Sequence, residues 1–388
     1  MRALLCDELI GRDQDLDEGR AALESARRGA GGVLFITGEA GVGKSRLVSE
    51  LVTTAREGGA QVLFGRAVQA DIPVAFRPFS EALLSHFRSQ GPPDLPELAP
   101  FRPALGRLLP EWRTPGETTH EPLVVLAEGV VRLLSAVAGQ DATLLVLEDL
   151  HWADQETLSV LEYFADVLST QPVLCIATLR PEDGSQTRRL VEGLRASRRA
   201  TVLALGPLPP DEIGRMTAAC LDAPVPTEVV DFVRAWSDGL PFMVEEVLAG
   251  AVGAGALGWD GEQWSLDAGP VPLLPVSFTD NVHARLRALG TDAARVLRFA
   301  AVLGRRFDWS LLPSALALTE LEVMDALRAG VTAQLLVVEG DAGFRFRHSL
   351  TRDAVLGDLF HGELGAASRR LLEVVDAAHP GLPGSWAE

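Results

Sequence analysis

Lysine is nearly absent from this sequence. Of its 35 basic residues only Lys44 is a lysine, and every other one is an arginine. Cysteine is scarce as well: Cys6, Cys175 and Cys220 are odd in number and far apart. That spacing fits neither a disulfide framework nor a zinc site. Cys175 lies in an apolar run and reads as core. No run of about 18 apolar residues occurs, so no transmembrane helix and no membrane partner are expected. The start, Met1-Arg2-Ala3-Leu4-Leu5-Cys6-Asp7-Glu8, turns acidic too soon for a secretory signal. Together these absences point to a cytoplasmic chain. Positive charge is also outweighed: the net charge of −18 disfavours a chain that grips nucleic acid by itself. No internal repeat and no low-complexity segment is evident.

What is present is the material of two or three globular domains. The 388 residues are 47% hydrophobic and 23% charged, ordinary values for packed domains. Val33–Thr37 is a short β-branched run ending in Gly38, and a helical pattern follows from Lys44 to about Arg56. Gln61–Gly65 reads as a second strand. Residues 66–120 are rich in proline and break into short helical pieces near Phe79–Arg88 and Pro103–Leu109, an expected insertion. Leu123, Leu126, Val130, Leu134 and Val137 then recur at helical spacing. Leu144–Leu147, Val173–Thr178 and Thr201–Leu205 read as three more buried strands. Apolar strands alternating with helices predict a parallel sheet covered on both faces.

At Gly206-Pro207-Leu208-Pro209-Pro210 the pattern becomes helical, broken by Trp259–Trp264, which reads as a hairpin with an Asp-Gly turn. Further helices are expected near 278–289, 291–303 and 319–330. Leu335–Glu339 and Phe344–Arg347 flank a turn at 340–343, and helices followed by two such strands suggest a winged helix. A last helix is expected from about 361. The expected domains are therefore 1–206, 207–275 and 276–360, with 361–388 opening a further helical region.

The chemistry centres on Gly38-Glu39-Ala40-Gly41-Val42-Gly43-Lys44-Ser45, which satisfies G-x-x-x-x-G-K-[ST]. Glycines let backbone N–H groups turn inward around phosphates, and the following helix points its positive end at them. Lys44 suits the β- and γ-phosphates of ATP, and the Ser45 hydroxyl suits Mg²⁺. The sole lysine of the chain thus stands inside a phosphate-loop pattern. Leu144–Leu147 ends in Glu148 and Asp149, where one carboxylate can hold Mg²⁺ and the other can orient an attacking water. Glu148 stands where an aspartate is usual, and the division of roles between Glu148 and Asp149 stays open. Arg180 follows the strand Val173–Thr178. There it could reach a γ-phosphate, or simply be a solvated arginine at a strand end. His348, taken alone, reads as structural, and Gly239-Leu240-Pro241 as a helix boundary.

Ile10-Gly11-Arg12, Thr37–Leu47, Leu145–Asp154, Thr178-Leu179-Arg180-Pro181-Glu182, Gly239-Leu240-Pro241-Phe242 and Phe344–His348 follow one another along nearly the whole chain. In that order they resemble the STAND class of signalling ATPases. More narrowly, the chain resembles the N-terminal part of the large ATP-binding regulators of the LuxR family, which activate transcription. The resemblance implies a P-loop α/β domain, then a helical domain and a winged-helix domain. It implies that the backbone at Ile10 and Arg12 meets adenine, and that the loop through Arg46 holds the phosphates. Pro241 would abut the nucleotide, and His348 would read the β-phosphate of ADP. That last motif is often Met-His-Asp, and Arg347 and Ser349 depart from it. The family continues with helical repeats and a C-terminal helix-turn-helix that this chain is expected to lack, so DNA would be met only through that absent part.

The leading expectation is a nucleotide-dependent switch, closed with ADP and self-associating with ATP, whose slow hydrolysis acts as a reset. The alternative is a working AAA+-like ATPase, a remodelling motor with fast turnover and an arginine finger. A small-molecule phosphotransferase would need an acceptor pocket and lid in place of the wing pattern. DNA binding by the wing is disfavoured, since Thr319–Phe360 carries four basic and seven acidic residues.

Overall fold

Short apolar runs separated by helical patterns become, in the computed structural model, a sheet buried on both faces. The structure describes residues 5–68, 74–88, 91–113, 121–139, 141–180, 186–266, 278–339 and 343–378. The chain forms two units. One is Glu8–Glu212, and the other joins Met1–Asp7 to Ile213–Glu388. No helix among the described residues is long and apolar enough to cross a membrane.

The elements of the first unit are α1 (Asp13–Arg27), β1 (Gly32–Thr37), α2 (Lys44–Glu57), β2 (Gln61–Arg66), α3 (Arg77–Phe87), α4 (Arg102–Leu105), α5 (Leu123–Ala138), β3 (Thr143–Glu148), α6 (Gln155–Val167), β4 (Val173–Leu179), α7 (Gln186–Ala196) and β5 (Thr201–Ala204). Helix α8 (Pro210–Leu221) begins at its end. The five strands stand in the order β2-β3-β4-β1-β5, and every neighbouring pair is parallel. The expected parallel sheet is thus present. The central strands are apolar almost without interruption because neither face meets water. Val33, Phe35, Leu145, Leu147, Cys175 and Ala177 share one core with Leu83, Val130, Leu161 and Val191 from α3, α5, α6 and α7. Their alternates, such as Leu34, Ile36, Val146 and Ile176, are buried on the opposite face, where α1 and α2 pack. Cys175 is core, as its run implied, and burial pushes its thiol pKa upward.

The proline-rich stretch supplies α3, α4 and short 3₁₀ turns at Pro96–Phe101 and Pro110–Trp112. Helix α3 lies directly on β2. A Cβ at Gly65 would sit 1.8 Å from the Pro78 carbonyl oxygen, so the two backbones touch. The next amide, Arg66 N–H, donates to Glu81 Oε2 of α3 at 3.1 Å. Burial raises the Glu81 pKa, and that hydrogen bond opposes the rise.

The second unit contains most of α8, then α9 (Thr227–Ser237), α10 (Pro241–Gly253), β6 (Leu257–Trp259) and β7 (Trp264–Leu266). β6 and β7 pair antiparallel with Trp259 opposite Trp264, and Asp260 Oδ1 accepts the Glu262 and Gln263 amides at 2.8 Å each. The sequence signal for a hairpin here was correct. There follow α11 (Phe278–Ala288), α12 (Thr291–Leu303), β8 (Arg306–Phe307), α13 (Leu312–Leu316), α14 (Glu320–Thr332), β9 (Leu336–Glu339), β10 (Gly343–Phe346), α15 (Ser349–Gly357) and α16 (His361–Ala378). Thr319 and Glu322 cap α14 reciprocally. An antiparallel sheet β8-β10-β9 turns Phe344 and Phe346 into a core with Leu297 and Leu327. Residues 340–342 of the expected turn, with Pro181 and Glu182, lie outside the described residues.

The backbone contact at Gly65 generates a prediction. Gly65→Ala should destabilise the protein by about 2–3 kcal/mol, the cost of overpacking where the neighbour cannot swing away. Urea unfolding checks this, and an unchanged midpoint would mean that α3 does not rest on β2 as described.

Candidate nucleotide site

Strand β1 delivers the chain into the loop at Gly38. Gly38, Gly41 and Gly43 have φ of 154°, 81° and 105°, values that cost other residues strain. Gly38 is also tightly placed, since a Cβ there would lie 2.7 Å from the Leu205 carbonyl oxygen. Val42 is buried and fastens the middle of the loop, whereas Glu39 and Ser45 are exposed and Ala40 is half-buried. Gly43 caps α2, whose first turn holds Lys44, Ser45 and Arg46 and no acid. Helices α1, α8 and α14 place carboxylates in their first turns. The positive end of α2 therefore carries no acid of its own turn, which suits an anion. Lys44 Nζ donates to the Gly38 and Glu39 carbonyls at 2.6 and 2.9 Å, which folds the ammonium back over the loop. Arg46 instead pairs along its helix with Glu50 at 3.3 Å.

The acids stand at the same edge of the sheet. Strand β3 stops at Glu148 because Asp149 adopts left-handed backbone, φ 57°. The Asp149 N–H donates to Thr178 Oγ1 on β4 at 3.0 Å. Arg66, at the tip of β2, donates from Nε and Nη2 to Asp149 Oδ2 at 2.8 and 2.6 Å. The parallel register explains the meeting: Arg66 is level with Glu148, and Thr178 is level with Ile36 just before the loop. Glu148 is half-buried, and Arg180 is the first residue beyond β4, also half-buried. Asp154 has other work. Its carboxylate caps α6 through the Thr157 amide at 2.8 Å and also accepts the Phe76 amide at 3.1 Å.

Arg66 and Thr178 were not singled out from sequence. Each ends or nearly ends an apolar run, so aligning the C-terminal ends of the strands would have placed both beside the acids. Ile10 and Arg12 are buried in the same unit as the loop. The Arg12 side chain reaches the Val42 carbonyl at 3.2 Å and also the Gly206 carbonyl. Burial lowers the Arg12 pKa, and nearby Asp15 opposes this.

Pro241 and His348 belong to the other unit. Pro241 opens α10, where its missing N–H costs nothing. His348 Nε2 lies 3.1 Å from Glu245 Oε2, and its ring meets Phe242 edge-on at 4.5 Å. Beside it Arg347 is buried and pairs with Glu246 at 3.2 Å, and Arg285 pairs with the same carboxylate at 3.0 Å. Burial lowers the Arg347 pKa, and Glu246 and then Glu245 counter it.

A metal ion here would meet oxygen donors. No cluster of three His, Cys, Asp or Glu among the described residues could hold one, so phosphate oxygens would have to complete any site. Ser45 and Glu148 fit that partial role for Mg²⁺, which binds through few protein oxygens plus phosphate and water.

A five-stranded parallel sheet with a phosphate loop after β1 and acids after β3 is the fold of a P-loop NTPase domain, an arrangement suited to a nucleotide. Residues 8–176 match the family described as AAA ATPase domain. An uncharacterized protein of Rhizobium meliloti is 25% identical over 404 residues, which span 95% of this chain and 37% of that protein. Among solved structures, a STAND protein with a tetratricopeptide repeat sensor from Pyrococcus horikoshii is similar, with a TM-score of 0.56 and 14% identity. The match covers 97% of this chain and 46% of that one. Cdc6p from Pyrobaculum aerophilum matches with a TM-score of 0.42 and 12% identity over 95% of both chains. The chain thus spans less than half the length of the first two.

The position of Asp154 makes its mutant informative. Asp154→Ala should cost about 2–3 kcal/mol, from a lost cap and an orphaned Phe76 amide. Nucleotide affinity of the folded mutant should stay within a factor of about two. A stable mutant with lost affinity would assign Asp154 to the site instead.

Proposed function

We propose that this chain is the ATP/ADP-binding switch portion of a LuxR-family transcription activator. The observation that carries the reading is the loop from Gly38 to Ser45, which sets the only lysine and an acid-free helix start at the same edge of the sheet as Glu148 and Asp149. In this reading 207–275 is a helical domain and 276–360 a winged-helix domain, supported by α11, α12 and α14 with the sheet β8-β10-β9. The residues 361–388 open a helical-repeat region.

Lys44 binds the β- and γ-phosphates after exchanging two loop carbonyls for them. Ser45 and Glu148 would hold Mg²⁺ together with the phosphates, and the ion would supply charge neutralisation there. Asp149 orients the attacking water and takes its proton, steadied by Arg66 and Thr178. Arg180 contacts the γ-phosphate, and the backbone near Ile10 and Arg12 meets adenine. His348, beside Phe242, reads the β-phosphate of ADP, and Glu245 competes for its imidazole. ADP favours the closed state and ATP an open, self-associating one, a population shift set by differential affinity. Hydrolysis is slow and resets the switch in the cytoplasm, and DNA is contacted by a helix-turn-helix elsewhere in the full regulator.

Three experiments test this. Lys44→Ala should weaken ATP binding by about 10- to 100-fold, the worth of a charge-assisted contact to phosphate. Identifying the nucleotide retained on purified protein, alongside steady-state turnover, separates the switch from a motor: retained ADP with slow turnover is expected, and an empty site with rapid turnover refutes it. His348→Ala should speed ADP release about tenfold in stopped flow, with a thermal melt close to wild type. An unchanged off-rate in the folded mutant would remove His348 from the switch.

A further inference from the structure

Arg12 occupies a place that adenine recognition by its backbone leaves unexplained. The residue is 7% exposed, and its side chain reaches the middle of the phosphate loop. The guanidinium donates to the carbonyls of Val42 and Gly206, which joins the middle of the loop to the segment just after β5. The Val42 carbonyl shares a rigid, planar peptide with the Gly43 N–H, and the two point in opposite directions. Gly41 and Gly43, at φ 81° and 105°, flank that peptide and its residue. A flip of this peptide turns ψ of Val42 and φ of Gly43, and on its own side the glycine offers no resistance. A flipped Val42–Gly43 peptide would put a carbonyl oxygen where phosphate needs a donor, and two anionic groups would face each other.

We infer that Arg12 is a positioning residue for phosphate: by holding the Val42 carbonyl outward it fixes the Gly43 N–H inward, ready for the β-phosphate of a nucleoside diphosphate. The inference rests on the reading of residues 38–45 as the phosphate site. An arginine suits the task better than a lysine, because its planar fork fixes the direction of the two N–H groups on Nη2, which donates to both carbonyls, and it keeps its charge when buried. Asp15, in the first turn of α1, faces the same guanidinium and offsets part of the cost of burying it.

The test compares ADP with AMP, which share base, ribose and first phosphate. Dissociation constants are measured by calorimetry for wild type, R12A, R12K and K44A, with a thermal melt for each. R12A should weaken ADP binding about tenfold while AMP binding stays within about twofold, so the preference for ADP over AMP falls. R12K, which keeps the charge and bulk but not the fork, should lie between R12A and wild type. It also serves if R12A does not fold. Equal losses for AMP and ADP would place Arg12 at the base or in general packing and overturn the inference, as would unchanged ADP affinity. K44A separates the layers. If K44A binds ADP normally, the loop is not the phosphate site. If K44A loses ADP but the Arg12 variants do not, only the role of Arg12 fails.

Discussion

A ring of backbone N–H groups that must stay turned inward is an unstable thing, because peptides prefer to spend their donors on nearby carbonyls. The phosphate loop keeps its shape only through what surrounds it. β1 sits between β4 and β5, so the loop springs from the interior of the sheet and not from an edge. Val42 is buried beneath it, Leu205 crowds Gly38, and Arg12 takes the outward carbonyl. Lys44 closes over the Gly38 and Glu39 carbonyls from the other side. Each of these contacts limits a glycine that the loop geometry requires to be free of a side chain.

The acids answer a related demand. A carboxylate at a strand end keeps one position only if its neighbours hold it. Asp149 is turned out of the strand by its left-handed backbone and held by the Thr178 hydroxyl through its amide. Arg66 places both of its donors on one oxygen, Oδ2. Position and charge are thus supplied from two neighbouring strands, and the parallel register alone brings them level.

Much of this was legible in the sequence. All five strands were visible, the three central ones as unbroken apolar runs because burial on both faces erases the alternation that complicates other sheets. The loop was legible because its spacing is set by phosphate geometry, and the hairpin at Asp260-Gly261 because its turn chemistry is local. Strand order was not legible, since nothing in a run such as Val173–Thr178 says that it lies between β1 and β3. Arg66 and the hydrogen bond of Thr178 to Asp149 were missed for that reason, although Thr178 itself opened a quoted motif: both roles exist only across strands. Arg12 was noticed for its backbone, whereas its side chain carries the contact with Val42 over a separation of 30 residues. Asp154 sat in a conspicuous acidic run, yet a helix cap and a reactive carboxylate look alike in one dimension.

An open sheet offers the unpaired amides of its outermost strands to any other extended chain, which is how such edges seed aggregation. β2 is one of those outer strands, and at its tip the outward amide of Arg66 is already taken by Glu81 from α3. The same helix lies so close to Gly65 that no side chain fits between them. The carboxylate thus closes the tip of this edge to strand addition, and it does so at the residue whose guanidinium steadies Asp149. Solubility and the shape of the acidic edge are guarded there by one side chain.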